Sequence, residues 1–205
     1  LVRWRGGEGD IVEAGRFINV AEETDLIVPI GNQIVGEALN QLAVWHEQGR
    51  RLKMAVNISA RQLRDPHCCD RMLERLSRGV VPLSALELEV TETGLLTDLE
   101  ANRRTLERLY QRGVSIAIDD FGTGYSSLAY LRHLPVNTLK IDRAFVEQLS
   151  EDPADQAIVQ AIIAMAHSLG VEVVAEGVDT DERAALLTRL GCDLGQGYLF
   201  GRPVP

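Results

Sequence analysis

The sequence is poor in the residues that staple or plate small extracellular domains. Its three cysteines, Cys68, Cys69 and Cys192, are odd in number and two are adjacent, which excludes a disulfide framework and does not match zinc-ligand spacing. Such usage fits a reducing compartment, so a cytoplasmic location is expected. Histidine is also sparse: His46, His67, His133 and His167 never fall at ligand spacing and read as surface or helix-end residues. Positive charge is in deficit. A formal net charge of -9 leaves no broad basic surface for a nucleic acid polymer or anionic lipid. An acidic protein can still bind an anion by recruiting cations locally. No apolar run reaches membrane-spanning length and no signal peptide is visible, so no membrane segment is expected in this span. The opening Leu1-Val2-Arg3-Trp4 reads as the tail of a strand, without an initiator methionine, so a preceding segment is expected.

What is present is ordinary for a globular protein. Hydrophobic residues make up 45% and charged residues 25% of 205 residues, enough for one domain with a large core, expected over 1–205. From Lys53 onward the chain alternates. Short β-rich runs are predicted at 54–58, 86–91, 115–119, 138–141, 172–175 and 197–200. Helical periodicity is predicted between them at 69–76, 99–111, 126–131, 156–169 and 182–190. Gly113 and Gly170 stand where left-handed C-caps are expected, and Asp98 and Thr180 where N-caps are. Two further helices are predicted at 14–23 and 29–48, the second with a core stripe of Ile30, Ile34, Ala38, Leu42 and Trp45. Strands alternating with helices favour a parallel sheet with crossover helices. Counting the 1–4 remnant, the strands fall one short of a closed (β/α)8 barrel of the TIM type; an open doubly wound sheet is the alternative. The barrel is preferred because polar residues mark many strand ends rather than one crevice.

Those polar residues carry the chemistry. Asn57 lies near the end of the first complete strand and Glu89 near the end of the next. The third ends in Asp119-Asp120, the fourth carries Lys140 and Asp142, the fifth ends in Glu176, and Gln196 precedes the last. Taken singly, each acid is more simply a solvated surface group, and Asp119-Asp120 is also a natural start for the turn at Gly122. Converging at a barrel mouth, several carboxylates repel one another unless protons or cations neutralise them. Oxygen donors with one amide and no Cys or His select hard ions such as Mg2+ or Mn2+. Adjacent aspartates suit two neighbouring ions, which clamp the attacking and leaving oxygens of a phosphoryl displacement. Lys140 would orient the attacking water or offset developing charge; a salt bridge to a neighbouring carboxylate is an equal alternative. The run Phe121-Gly122-Thr123-Gly124-Tyr125-Ser126-Ser127 lacks the Lys and Ser/Thr ending of a Walker loop and reads as a mobile loop after a catalytic strand.

The runs Asn57-Ile58-Ser59, Glu89-Val90-Thr91-Glu92, Asp119-Asp120-Phe121-Gly122-Thr123-Gly124-Tyr125-Ser126-Ser127, Leu139-Lys140-Ile141-Asp142, Ala175-Glu176-Gly177-Val178 and Gly195-Gln196-Gly197-Tyr198, taken in order, resemble the successive motifs of the EAL domain. That family comprises bacterial phosphodiesterases that open cyclic di-GMP to linear pGpG. The resemblance implies that Asn57, Glu89, Asp119, Asp120 and Glu176 hold two Mg2+ or Mn2+ ions and that Lys140 stands beside the nucleophilic water. It implies that Arg3 contacts a substrate phosphate, that Gln196 lines the pocket and that Asp142 supports the lysine region. Glu92 would anchor the loop 121–127, which in the family couples catalysis to a homodimer interface. The resemblance also places the first barrel strand, most of the second and one further glutamate ligand before Leu1, with a GGDEF or sensory domain possible upstream. Asp179 stands where the family commonly has glutamate, and Asn19 where it commonly has proline. The alternatives are a catalytically inactive cyclic di-GMP receptor and a metal-dependent barrel acting on another phosphorylated substrate.

Overall fold

The computed structural model describes residues 2–7, 10–65, 67–77, 81–123, 128–150 and 152–203. They form two compact units, one of Leu1–Leu88 with Asp98–Val114 and the other of Glu89–Thr97 with Ser115–Pro205.

The first unit opens on a hairpin in which β1 (Arg3–Arg5) pairs antiparallel with β2 (Ile11–Glu13). The strand remnant expected at 1–4 therefore belongs to a two-stranded sheet of its own, not to the parallel one; Leu1 lies outside the described residues. Helices α1 (Ala14–Glu23) and α2 (Ile27–Glu47) follow, with Trp4 meeting Phe17 edge to face at 6.1 Å. The buried face of α2 is displaced from the predicted stripe: of those residues only Leu42 is fully inside, and the face runs through Ile27, Gly31, Val35, Leu42 and His46. Gly31 explains the shift. Having no side chain, it lets the Gln62 amide press against the helix backbone, so the closest approach is set by the smallest residue and not by the isoleucines. His46, in the last turn of α2, is a helix-end residue as expected; it is buried, with Nε2 3.0 Å from the Leu52 carbonyl oxygen.

Strand β3 (Met54–Asn57) leads into α3 (Ala60–Arg64) through a capping box. Ser59 Oγ accepts from the Gln62 N–H at 3.2 Å, and Gln62 Oε1 accepts from the Ser59 N–H at 3.1 Å. Then come α4 (Cys68–Ser77), with Cys68 and Cys69 buried and free, and β4 (Leu86–Thr91), which lies beside β3.

The second unit takes up β4 at Glu89 and continues with α5 (Glu92–Leu96). The chain re-enters the first unit for α6 (Leu99–Tyr110) and returns at β5 (Ser115–Phe121). There follow α7 (Leu128–Leu131), β6 (Thr138–Ile141), α8 (Arg143–Glu147), α9 (Pro153–Ser168), β7 (Glu172–Glu176), α10 (Asp181–Leu190) and β8 (Leu194–Gln196). Strands lie in the order β4-β5-β6-β7-β8, and the last three pairings are parallel. Ile116, Ala117, Ile118, Leu139, Ile141, Val173 and Ala175 are all fully buried, the continuous apolar run of strands covered on both faces. The expected caps are in place: Asp98 and Thr180 accept from Ala101 and Arg183 backbone N–H groups, and Gly113 and Gly170 are left-handed at φ 93° and 72°.

One strand is misplaced by the sequence reading. Residues 197–200 are not a strand; the last strand is Leu194–Gln196. Gly197 sits so close to the Val178 backbone that a Cβ would collide with it, and the Leu199 N–H donates to the Val178 carbonyl at 3.1 Å. The chain is thereby turned off the sheet, leaving Tyr198 and Phe200 exposed. Of the helix predicted at 126–131, residues 126 and 127 lie outside the described residues, as does 124–127 of the Gly-rich loop.

Candidate active site

The two adjacent aspartates of β5 pose a geometric problem, because successive side chains of a strand point to opposite faces. The register solves it. Ile118 pairs with Leu139 and Phe121 with Ile141, so Asp119 and Asp120 together oppose the single residue Lys140. This is a β-bulge, and Asp120 takes the left-handed conformation at φ 53° to complete it. Asp120 is thereby returned to the face of Asp119, and both carboxylates converge with that of Glu176 to within 4.8 Å. Glu176 ends β7 on the same face, where Lys140 is the register partner of Val174, two residues earlier.

Lys140 lies among these acids, with 5% of its side chain exposed. Its Nζ is 2.6 Å from Glu176 Oε1, 2.7 Å from Glu89 Oε1 and 3.0 Å from Asp119 Oδ1. Burial by itself would lower the lysine; hydrogen bonds to Glu176 and Glu89 and the charge of Asp119 outweigh it and hold the ammonium above its ordinary value. Lys140 thus makes the salt bridges that one of its two readings expects. One ammonium does not neutralise the carboxylates around it. Asp120 is pushed up to about 6 by burial, then by the charges of Asp119, Asp142 and Glu176. Glu176 is also raised, by burial and by Asp119 and Glu89, against the pull of Lys140. Among the described residues, Asp119 Oδ1 is buried and, its ion pair with Lys140 aside, has no hydrogen-bond partner. Crowded hard-oxygen donors short of positive charge, one of them without a hydrogen bond, fit a divalent cation held by Asp119, Asp120 and Glu176.

Glu92, fully buried at the start of α5, fastens the segment after the bulge at both sides. Its carboxylate accepts from the Gly122 N–H at 3.0 Å and from the Tyr130 hydroxyl at 2.7 Å. Gly122 sits at φ 98°, with the Phe145 ring where a Cβ would be, so no other residue fits there. Tyr130 had no distinguishing mark in the sequence. Tyr130→Phe removes a hydrogen bond to a buried carboxylate and is expected to cost about 1.5–3 kcal/mol in a denaturant melt.

The EAL domain family profile matches residues 1–203. The chain belongs to the EAL domain family. The bifunctional diguanylate cyclase/cyclic di-GMP phosphodiesterase MucR of Pseudomonas aeruginosa is 45% identical over 206 residues, covering 100% of this chain and 30% of MucR. Signaling protein YkoW of Bacillus subtilis is 42% identical over 205 residues, covering 100% of this chain and 26% of YkoW. The chain thus spans about a third or less of the curated relatives it matches. A solved structure of the PaMucR phosphodiesterase in complex with c-di-GMP superposes with a TM-score of 0.93 at 45% identity, covering 100% of this chain and 83% of that one. The TIM-type α/β barrel expected from the sequence is the fold of this EAL domain.

Of the sequence-predicted residues of this EAL domain, the structure brings Glu89, Asp119, Asp120, Lys140 and Glu176 together. Asp142 stands beside Asp120 and caps α8, accepting from the Ala144 N–H at 2.9 Å. Gln196 is the register partner of Glu176 and is exposed at the end of β8, not ahead of a strand. Asn57 and Arg3 belong to the first unit, exposed at the end of β3 and on β1. Among the described residues no helix is long and apolar enough to cross a membrane.

Proposed function

We propose that the EAL domain hydrolyses cyclic di-GMP to linear pGpG with Mg2+ or Mn2+. The observation that carries this reading is Lys140 held within 3.0 Å of Glu89, Asp119 and Glu176, with Asp120 alongside. Asn57, Glu89, Asp119, Asp120 and Glu176 are assigned to two ions. Such ions supply Lewis-acid activation of water and of the scissile phosphate. Lys140 is assigned to orient the attacking water or to offset charge developing on the phosphoryl oxygens. Arg3 is assigned to a substrate phosphate, Gln196 to the pocket wall, and Asp142 to holding the Lys140 strand end. Glu92 is assigned as the anchor of the loop 121–127, and through it of a homodimer contact. The domain is placed in the cytoplasm, with GGDEF or sensory domains as its partners in a longer protein. The relatives named as cyclic di-GMP phosphodiesterases and the c-di-GMP complex support the substrate.

The test is incubation of cyclic di-GMP with the purified protein and Mg2+ or Mn2+, with products resolved by chromatography. Linear pGpG is expected, abolished by a chelator. Tight binding with no linear product in either metal would refute the enzyme and assign the chain as a receptor.

A further inference from the structure

We propose that Arg183 is a positioning residue for this centre, holding the turn behind Glu176 against the helix that follows Lys140. The inference rests on reading the acid cluster as a cation site. β7 ends at Glu176, and the next residue, Gly177, turns at φ 71° beneath the stem of Arg143; a Cβ there would run into Arg143 Cγ. Val178 is tied to β8, its N–H donating to the Gln196 carbonyl at 3.0 Å and its own carbonyl accepting from Leu199 at 3.1 Å. Asp179 is held from the other side. Arg183 Nη1 pairs with its carboxylate, and Arg183 Nη2 donates to the backbone carbonyl of Glu147 at 2.5 Å.

Glu147 is the last residue of α8, whose N-cap is Asp142, two residues after Lys140. Its carboxylate in turn takes Arg143, the residue lying over Gly177. A single guanidinium, with 17% of its side chain exposed, therefore spans from the turn carrying Glu176 to the helix anchored on the Lys140 strand. The two elements it joins are the two that meet in the 2.6 Å contact of Lys140 with Glu176. The planar fork makes both bonds at once from different nitrogens, which the point charge of a lysine does not reproduce. Asp179, the departure from the glutamate common in the family, is the partner that brings Arg183 into this bridge.

The test is Mn2+ affinity of the metal-free protein without substrate, read by electron paramagnetic resonance of the free ion. Groups that orient metal-ligating side chains typically change affinity 10–100-fold, so Arg183→Met is expected to weaken Mn2+ binding about tenfold. Arg183→Lys, keeping one contact, is expected to fall between. Arg108→Met, which removes a surface ion pair to Asp70 in the first unit, is expected to bind Mn2+ as the wild type does. A folded Arg183→Met protein with unchanged affinity would overturn the proposal. If Arg183→Met does not fold, Arg183→Lys decides by the same criterion. Failure of the wild type to bind Mn2+, or undiminished binding by Asp120→Asn, would overturn the cation-site reading itself, and this inference with it.

Discussion

Lys140→Met is expected to lower cyclic di-GMP hydrolysis by about 10²–10³-fold, the usual loss when one preorganised electrostatic donor is removed from a reaction centre. The same change should weaken the fold. Taking one partner out of a buried ion-pair network costs about 3–5 kcal/mol, because the charges left behind stay desolvated. For a chain of 205 residues that is roughly 6–20 °C in Tm. The pH window follows from the direction of the shift. A lysine held above its ordinary value contributes stability that is fully present below about pH 10 and is lost only as pH rises through the folded value, so at neutral pH the deficit is complete. The groups that lose this ammonium are Glu89, Asp119 and Glu176. A divalent cation can take up their charge, so added Mg2+ should recover much of the lost Tm while leaving activity low. Thermal melts with and without metal read this directly; wild-type turnover, or a Tm indifferent to metal, would contradict the assigned arrangement.

Asp120→Asn should move activity and stability in opposite directions. Loss of a carboxylate donor is expected to reduce Mn2+ affinity and to lower turnover by at least about 10²-fold. Without metal, however, the substitution relieves two costs. It removes the carboxyl that burial and the charges of Asp119, Asp142 and Glu176 push up to about 6. It also puts asparagine at a φ of 53°, where a non-glycine residue is uncommon and asparagine is among the best tolerated. Solvent screening of this partly exposed carboxylate keeps the gain small, at most about 1 kcal/mol or about 2–4 °C in Tm for the metal-free protein. Such a gain with lost function marks a site kept under electrostatic strain for its ligand. A lowered Tm would mean the carboxylate stabilises the empty site; unaltered turnover would remove Asp120 from the ligand set.

Much of this was legible in the sequence, for identifiable reasons. β4 and β6 are short runs rich in β-branched and other apolar residues, with polar residues between them, and their predicted limits agree with the structure. The caps at Asp98, Thr180, Gly113 and Gly170 follow from local chemistry and were equally readable. α3, α5 and α8 escaped because five residues are too few for helical periodicity to accumulate. The aromatic run Tyr198-Leu199-Phe200 looked like a strand because β propensity does not see the close packing of Gly197 on Val178. At the site, residue types pointed to carboxylates and a lysine at strand ends, but not to how they meet. The three-way pairing of Lys140 depends on register across separate strands, which no local pattern encodes. The bulge did leave a trace: two adjacent acids cannot share a face in a regular ladder. Arg183 left none, since both its partners are defined only by the fold.

The bulge also sets what kinds of inherited change the β5 segment can absorb. Point substitutions at Asp119 or Asp120 alter a charge but keep the residue count between Ile118 and Phe121, and so keep the frame in which Lys140 is opposed. Losing one codon there restores the even ladder and leaves a single acid opposite Lys140, so the bulge and one carboxylate of the centre are lost together. Insertions and deletions are therefore the disabling class of variation at this strand. Its length is under tighter constraint than its spelling.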